Sequence, residues 1–152
     1  MNQALVRDIV ATHKGQRGAL LPILHAVQEA LGYMPQEAIP VLAEELNLSR
    51  ADVHGVVSFY HDFRSAPAGR TVVRICRGEA CQAVGAERLV SHVRDRWGMS
   101  LGETAPDGSL TVEQVFCLGN CALGPAAQVN GRLQGRVDAA RLTAIVDEAV
   151  AR

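Results

Sequence analysis

The sequence lacks the features that mark membrane and nucleic-acid-binding proteins. No apolar run reaches the roughly 18 residues of a transmembrane helix, because Pro22 and His25 interrupt the best candidate. Fifteen Lys and Arg residues stand against 16 Asp and Glu residues, so there is no basic excess for binding a nucleic acid. The first ten residues carry Arg7 and Asp8 but no apolar signal-peptide core. We therefore expect a cytoplasmic protein with no membrane span.

Aromatic residues are also scarce, with one Trp, two Tyr and three Phe, yet 48% of the residues are hydrophobic. That fraction is enough for a packed core and excludes wholesale disorder. A length of 152 residues suits one domain or two small ones. Because structural disulfides are rare in a reducing cytoplasm, the four cysteines need another explanation.

The first part of the chain, residues 1–68, predicts a small helical bundle. Apolar residues recur there at spacings of three and four, as on the buried face of a helix. Gly32 is a stop signal for the second helix, and Pro35 suits the first turn of the third. Ser49 and Asp52 form a capping-box pattern that opens the fourth. The helical stripes are Leu5, Ile9 and Val10; Leu20, Ile23, Leu24, Val27 and Leu31; Ile39, Leu42 and Leu46; and Val53, Val56, Val57 and Tyr60.

A breaker-rich stretch at residues 65–69 predicts a boundary, and residues 69–152 then change in character. Residues 71–76 and 110–117 indicate strands, and residues 86–97 a helix. Asn130-Gly131 lies between two extended runs, which is a strong hairpin signal. Asp138 is expected to cap a last helix. The order of elements predicts a small α/β layer with mixed strands, and an α+β fold for the whole chain.

All four cysteines lie in this second part, as Cys76-x4-Cys81 and Cys117-x3-Cys121. Each pair follows a predicted strand, in a turn that contains glycine. Two such turns at the ends of neighbouring strands can face each other and supply four sulfur ligands. The glycines let backbone amides approach the sulfurs. The spacing alone leaves three alternatives open, namely an iron–sulfur cluster, a zinc site, and structural or redox thiols.

The cysteine turns CRGEAC (76–81) and CLGNCALGPAAQVNG (117–131) resemble those of the thioredoxin-like [2Fe-2S] proteins. The helical segments GALLPILHAVQEALGYMP and VHGVVSFYHDF are similar to the N-terminal region of the same family. The resemblance implies a helical bundle at residues 1–68 and a thioredoxin-like domain at residues 69–152 with one [2Fe-2S] cluster. Carried over residue by residue, it implies that Cys76, Cys81, Cys117 and Cys121 are the cluster ligands.

The resemblance also implies a function. Four thiolates that leave no open position favour electron transfer over substrate chemistry, and no GxGxxG or phosphate loop is present. We expect a non-catalytic electron-transfer subunit beside an FMN- and NAD-binding partner, with further iron–sulfur or catalytic subunits in the complex. The turns look most like the gamma subunit of soluble NAD-dependent formate dehydrogenase. Phe116 departs from the respiratory relatives, which often have an acidic residue there.

Alternatives to that function are a respiratory 24-kilodalton-type subunit, a subunit of an NAD-linked hydrogenase, a free-standing ferredoxin, and a zinc-stabilised binding module. Around the ligands, Arg74 and Arg77 would either raise the potential of the cluster or simply be solvated. Asn120 would either donate to a sulfur or tolerate an unusual turn. The five histidines are scattered without metal-ligand spacing, and the helices offer no basic face for DNA.

Overall fold

The computed structural model describes residues 3–152 and divides into two compact units, one ending at Pro67 and the other spanning Ala68–Arg152. Across the described residues, no helix combines the length and the apolar character that crossing a bilayer demands. Each unit has its own hydrophobic core. The two units are therefore described separately.

Between residue 3 and Pro67, the first unit contains four helices. They are α1 (Gln3–His13), α2 (Leu20–Leu31), α3 (Ala38–Leu46) and α4 (Arg50–Phe59). Every helix contributes to one apolar core, in which Val10, Leu24, Leu42 and Val53 are fully buried. Removing such side chains from water is the main stabilisation of a bundle of this size. The helical bundle expected from the apolar periodicity is thus present.

The helix ends follow the predicted signals, with one exception. Gly32 ends α2 in the left-handed conformation with φ 80°, and Ser49 and Asp52 form the reciprocal capping box of α4. The prediction for Pro35 was wrong, because α3 begins only at Ala38 and residues 36–37 form a turn before it. The N–H of Met34 donates to the carbonyl oxygen of Arg64 at 2.8 Å, so this backbone is held outside the helix.

The second unit is a five-stranded sheet with helices. Its strands are β1 (Thr71–Cys76), β2 (Glu103–Thr104), β3 (Leu110–Val115), β4 (Ala127–Val129) and β5 (Arg132–Gln134), and their order is β2-β3-β1-β4-β5. Only β1 and β3 run parallel. The helices are α5 (Glu79–Ala83), α6 (Ala86–Trp97) and α7 (Ala139–Val150), and a 3₁₀ turn covers Cys121–Leu123. The predicted α+β class and mixed sheet are confirmed.

Helices α6 and α7 both pack against β1. Val73 and Ile75 of β1 share a core with Leu89 of α6 and Leu142 of α7. Because side chains alternate across a strand, Arg74 is directed away from that core. Cys76, at the end of β1, is buried in a separate small cluster. The ligand-bearing end of β1 therefore lies outside the main core of this unit.

Three details of this unit differ from the prediction. The strand expected to run to residue 117 ends at Val115, and the next side chain, Phe116, is 68% exposed. Strand β2 was missed, because two exposed residues carry no alternation of polarity. Helix α5 was missed as well, since it is only five residues long and is separated from α6 by Gly85 at φ 97°. The hairpin at Asn130-Gly131 and the Asp138 cap form as expected.

Candidate metal centre

The four cysteines meet at one edge of the sheet. Cys76 is the last residue of β1 and is in register with Val115, the last residue of β3. Because β1 and β3 are parallel, the turns that follow them leave the sheet at the same edge. Helix α5 begins after the first turn and contains Cys81. The 3₁₀ turn after β3 begins at Cys121. The predicted facing of the two turns follows from this topology.

The two cysteine pairs have different surroundings. Cys76 and Cys81 are 2% and 1% exposed, whereas Cys117 and Cys121 are exposed to solvent. All four are free thiols, and the sulfur atoms of Cys117 and Cys121 lie 3.9 Å apart. Two thiolates on one tetrahedral metal, each at about 2.3 Å, lie about 3.8 Å apart. The exposed pair is therefore already spaced as two ligands of one ion.

The thiols influence one another within and between pairs. Burial raises the pKa of the Cys81 thiol, and its neighbour Cys76 raises it further, while a hydrogen bond from the Ala126 N–H lowers it. The adjacent Cys117 raises the pKa of Cys121. Cys121 also acts on Cys81 electrostatically, so the pairs are neighbours. A metal ion binds cysteine thiols by displacing their protons.

The four sulfurs are arranged as two pairs, which is a donor set that a [2Fe-2S] cluster can use. Within residues 3–152, no three His, Cys, Asp or Glu side chains converge as ligands of a single ion. The sulfurs instead form two neighbouring pairs. A [2Fe-2S] cluster takes two thiolates on each of its two irons. Two pairs of cysteine sulfurs, one pair for each iron, are the donor set that such a cluster needs.

The backbone of three glycines lies close to the cysteine sulfurs. A Cβ added to Gly78 would lie 3.6 Å from the sulfur of Cys76, and one added to Gly124 would lie 3.4 Å from that of Cys81. The N–H of Gly119, which has φ 74°, donates to the sulfur of Cys117 at 3.3 Å. Amide donors of this kind stabilise thiolate charge around iron–sulfur clusters. The residues present fit a [2Fe-2S] cluster.

A second backbone segment supports the turn that carries Cys121. The N–H of Arg136 donates to the carbonyl oxygen of Leu123, the last residue of that 3₁₀ turn, at 2.6 Å. The amide of Asn120 lies so close to Gly135 that an added Cβ would be 2.8 Å from its nitrogen. Asn120 is not in the left-handed region, with φ −110°. Its amide packs against the segment at Gly135, and its expected donation to a sulfur stays a prediction.

Other polar residues singled out from the sequence lie in structural contacts. Arg74 is paired with Glu113 on β3 at 3.0 Å, and the guanidinium of Arg77 is paired with Glu87 at 2.9 Å. His92 is hydrogen-bonded to Thr143 of α7 at 2.7 Å, within the helical layer. The partners Glu113 and Glu87 were missed by sequence reasoning, because only the strand register and the helix position bring them to these arginines.

Comparison with known proteins agrees with this geometry. Residues 6–150 match the family model described as thioredoxin-like [2Fe-2S] ferredoxin. The chain is 34% identical to an NADH-quinone oxidoreductase subunit of Rhizobium meliloti over 142 residues, covering 93% of this chain and 84% of the relative. It is 32% identical to the HndA subunit of the NADP-reducing hydrogenase of Solidesulfovibrio fructosivorans over 149 residues, covering 96% of this chain and 87% of the relative.

A solved structure is also similar. It is an NAD+-reducing [NiFe]-hydrogenase in the H2-reduced state, with a TM-score of 0.73 and 28% sequence identity. The match covers 88% of this chain but only 22% of the hydrogenase chain. In that protein, the similar region is thus about a fifth of a longer polypeptide.

Proposed function

Because the chain belongs to the thioredoxin-like [2Fe-2S] ferredoxin family and so binds a [2Fe-2S] cluster, we propose that Cys76, Cys81, Cys117 and Cys121 are its ligands. We further propose that the chain is an electron-transfer subunit of an NAD-linked oxidoreductase complex. The observation that supports both is the pair of cysteine turns at one sheet edge, with 3.9 Å between the sulfurs of the exposed pair.

When bound, the cluster accepts and returns one electron. The chain provides the rest of the function through the unequal burial of its ligands. Cys76 and Cys81 are packed against Ala86 and Ala126, which keeps solvent from one side of the site. Cys117 and Cys121 are exposed, so that a partner can come close to the other side. Their edge is therefore the proposed point of electron entry and exit.

Large apolar side chains adjoin that exposed edge. Phe116 is 68% exposed, Val84 56% and Leu123 42%, and each lies in or next to a ligand-bearing turn. Exposed aromatic residues of this kind are typical energetic centres of protein interfaces. We propose that these three residues, here called the apolar rim, contact the FMN- and NAD-binding subunit of the complex.

The finer assignment is a cytoplasmic, soluble NAD-dependent formate dehydrogenase. It rests on the similarity of the cysteine turns to the gamma subunit of that enzyme and on Phe116 in place of an acidic residue. Relatives that share about a third of its residues include NADH-quinone oxidoreductase and hydrogenase subunits, and these complexes are the alternatives. Assays of the purified complex with formate, hydrogen and NADH as electron donors separate the three.

The first experiment is an absorbance and EPR measurement on anaerobically purified protein, before and after dithionite. We expect a brown protein that contains iron and sulfide and that gives a rhombic EPR signal only after reduction, since a [2Fe-2S] centre becomes paramagnetic on taking up one electron. A colourless protein that contains zinc would contradict the electron-transfer function and leave a structural metal site.

A second experiment tests the apolar rim. Replacing Phe116 by Glu is expected to weaken binding to the flavoprotein subunit by roughly tenfold to a hundredfold, because an interface aromatic commonly contributes about 2 kcal/mol or more. Leu133→Glu is the matched control, since Leu133 is 46% exposed and lies on β5, outside the two cysteine turns in the sequence. The affinity of each variant for the flavoprotein subunit is measured by co-purification and calorimetry. If the two variants bind equally well, the apolar rim is not the contact surface for that subunit.

A further inference from the structure

Two arginines flank Cys76, and they differ in how their donors are used. The Nε of Arg74 donates to Glu113 at 3.0 Å. The terminal nitrogens of Arg77 donate to Gln114 at 3.2 Å and to Glu87 at 2.9 Å. The Nε of Arg77, however, is buried and has no hydrogen-bond partner among residues 3–152. One charged group beside the first ligand thus retains an unused donor.

An unused donor of this kind calls for an explanation. Burying an N–H without an acceptor is costly, and more so for a charged group. A guanidinium cannot avoid the cost by losing its proton. Because both terminal nitrogens of Arg77 are held, its Nε cannot turn to water without breaking the contacts to Glu87 and Gln114.

The position of Arg77 indicates which acceptor is missing. Its N–H donates to the carbonyl oxygen of Val115 at 2.7 Å, and its own carbonyl oxygen accepts from the side chain of Gln82 at 2.7 Å. The residue is thereby fixed within the turn that joins Cys76 to Cys81. The sulfurs of a bound cluster are acceptors that this turn would bring close.

We propose that the Nε–H of Arg77 donates to a sulfur of the bound [2Fe-2S] cluster and thereby raises the reduction potential of the cluster. This proposal rests on the proposed function. Reduction adds negative charge to the sulfurs, so a cationic donor stabilises the reduced cluster more than the oxidised one. Arg74 has the same charge near the same ligand, but its Nε is already occupied by Glu113.

The test is pulsed EPR on the reduced holoprotein labelled with arginine that carries 15N only at Nε, together with a potentiometric titration of each variant. The wild type is expected to show a 15N coupling from one arginine. Arg77→Lys keeps the positive charge but lacks Nε, so the coupling should disappear and the potential should become more negative. Arg77→Gln removes both the donor and the charge, and its potential should fall further.

Two control variants separate the hydrogen bond from the effect of an arginine-to-lysine change and from the loss of the Arg77–Glu87 ion pair. Arg74→Lys should retain the coupling and the wild-type potential, because its charge is unchanged and its Nε does not contact the cluster. Glu87→Gln breaks the ion pair of Arg77 but keeps Nε, and it too should retain the coupling. A coupling that persists in Arg77→Lys, or equal potentials in Arg77→Lys and Arg74→Lys, would overturn this proposal alone. Zinc in place of iron would overturn the proposed function and this proposal with it.

Discussion

Replacing Cys81 by Ser is expected to remove the cluster almost completely. Cys81 is 1% exposed and is held against Cys76 and the Ala126 N–H, so neither water nor another side chain can replace the lost sulfur. Changing only the partners of a metal ligand already costs about 10–100-fold in metal affinity. We therefore expect Cys81→Ser to retain less than about a tenth of the wild-type iron, as measured by iron and sulfide analysis.

The exposed pair should respond differently to the same change. Cys117 is open to solvent, so in Cys117→Ser a water molecule can reach the vacant position on the metal. We expect this variant to retain part of its iron with a shifted absorbance and EPR spectrum.

Ala83→Ser is the control for both cysteine variants. It places a hydroxyl in the same short helix α5, at an exposed position, without removing a sulfur. Full iron content and a wild-type EPR signal in Cys81→Ser would show that Cys81 is not a ligand.

The sequence predicted those parts of the site that depend on local order. Strand patterns placed Cys76 at the end of β1, and Cys117 within two residues of the end of β3 at Val115. The parallel pairing of β1 with β3 brings these ends to one edge. The capping box at Ser49 and Asp52 could also be predicted from the sequence, because its two residues are three positions apart. Local spacing is sufficient for such features, since the interacting groups lie within one turn of chain.

The features that could not be predicted depend on contacts between distant residues. Arg77 meets Gln114 only because β1 and β3 align, and Asn120 meets Gly135 only because the segment after β5 folds back onto the second cysteine turn. The unequal burial of the two cysteine pairs is a further case. Both pairs follow strands in glycine-containing turns, so nothing in their local sequence distinguishes the buried pair from the exposed one.

Replacing Gly135 by Ala is expected to speed the loss of the cluster. Gly135 lies in the segment after β5 that folds back onto the second cysteine turn. A Cβ at Gly135 would lie 2.9 Å from the Cβ of Leu123 and 3.0 Å from its carbonyl oxygen, besides 2.8 Å from the amide nitrogen of Asn120. The Asn120 side chain can move aside, but the Leu123 contacts cannot be relieved without shifting the turn that begins at Cys121.

Overpacking of this kind costs about 1–3 kcal/mol. At about 1.4 kcal/mol for each factor of ten, the turn should open roughly ten to a hundred times more often. Decay of the visible absorbance under an iron chelator, without oxygen, measures the rate at which the cluster is lost. We expect that rate to rise by a similar factor in Gly135→Ala.

Gly55→Ala is the matched control, because it makes the same substitution where the added Cβ meets no atom within 4 Å. Gly55 lies inside helix α4, where alanine is favoured over glycine by up to about 1 kcal/mol. This variant should lose its cluster at the wild-type rate and unfold at the same or a slightly higher temperature. If Gly135→Ala lost its cluster no faster than Gly55→Ala, the contact of residues 135–136 with the second cysteine turn would not stabilise the cluster. The two hydrogen bonds from Arg136 and Val137 to that turn would then be structural contacts without influence on the metal centre.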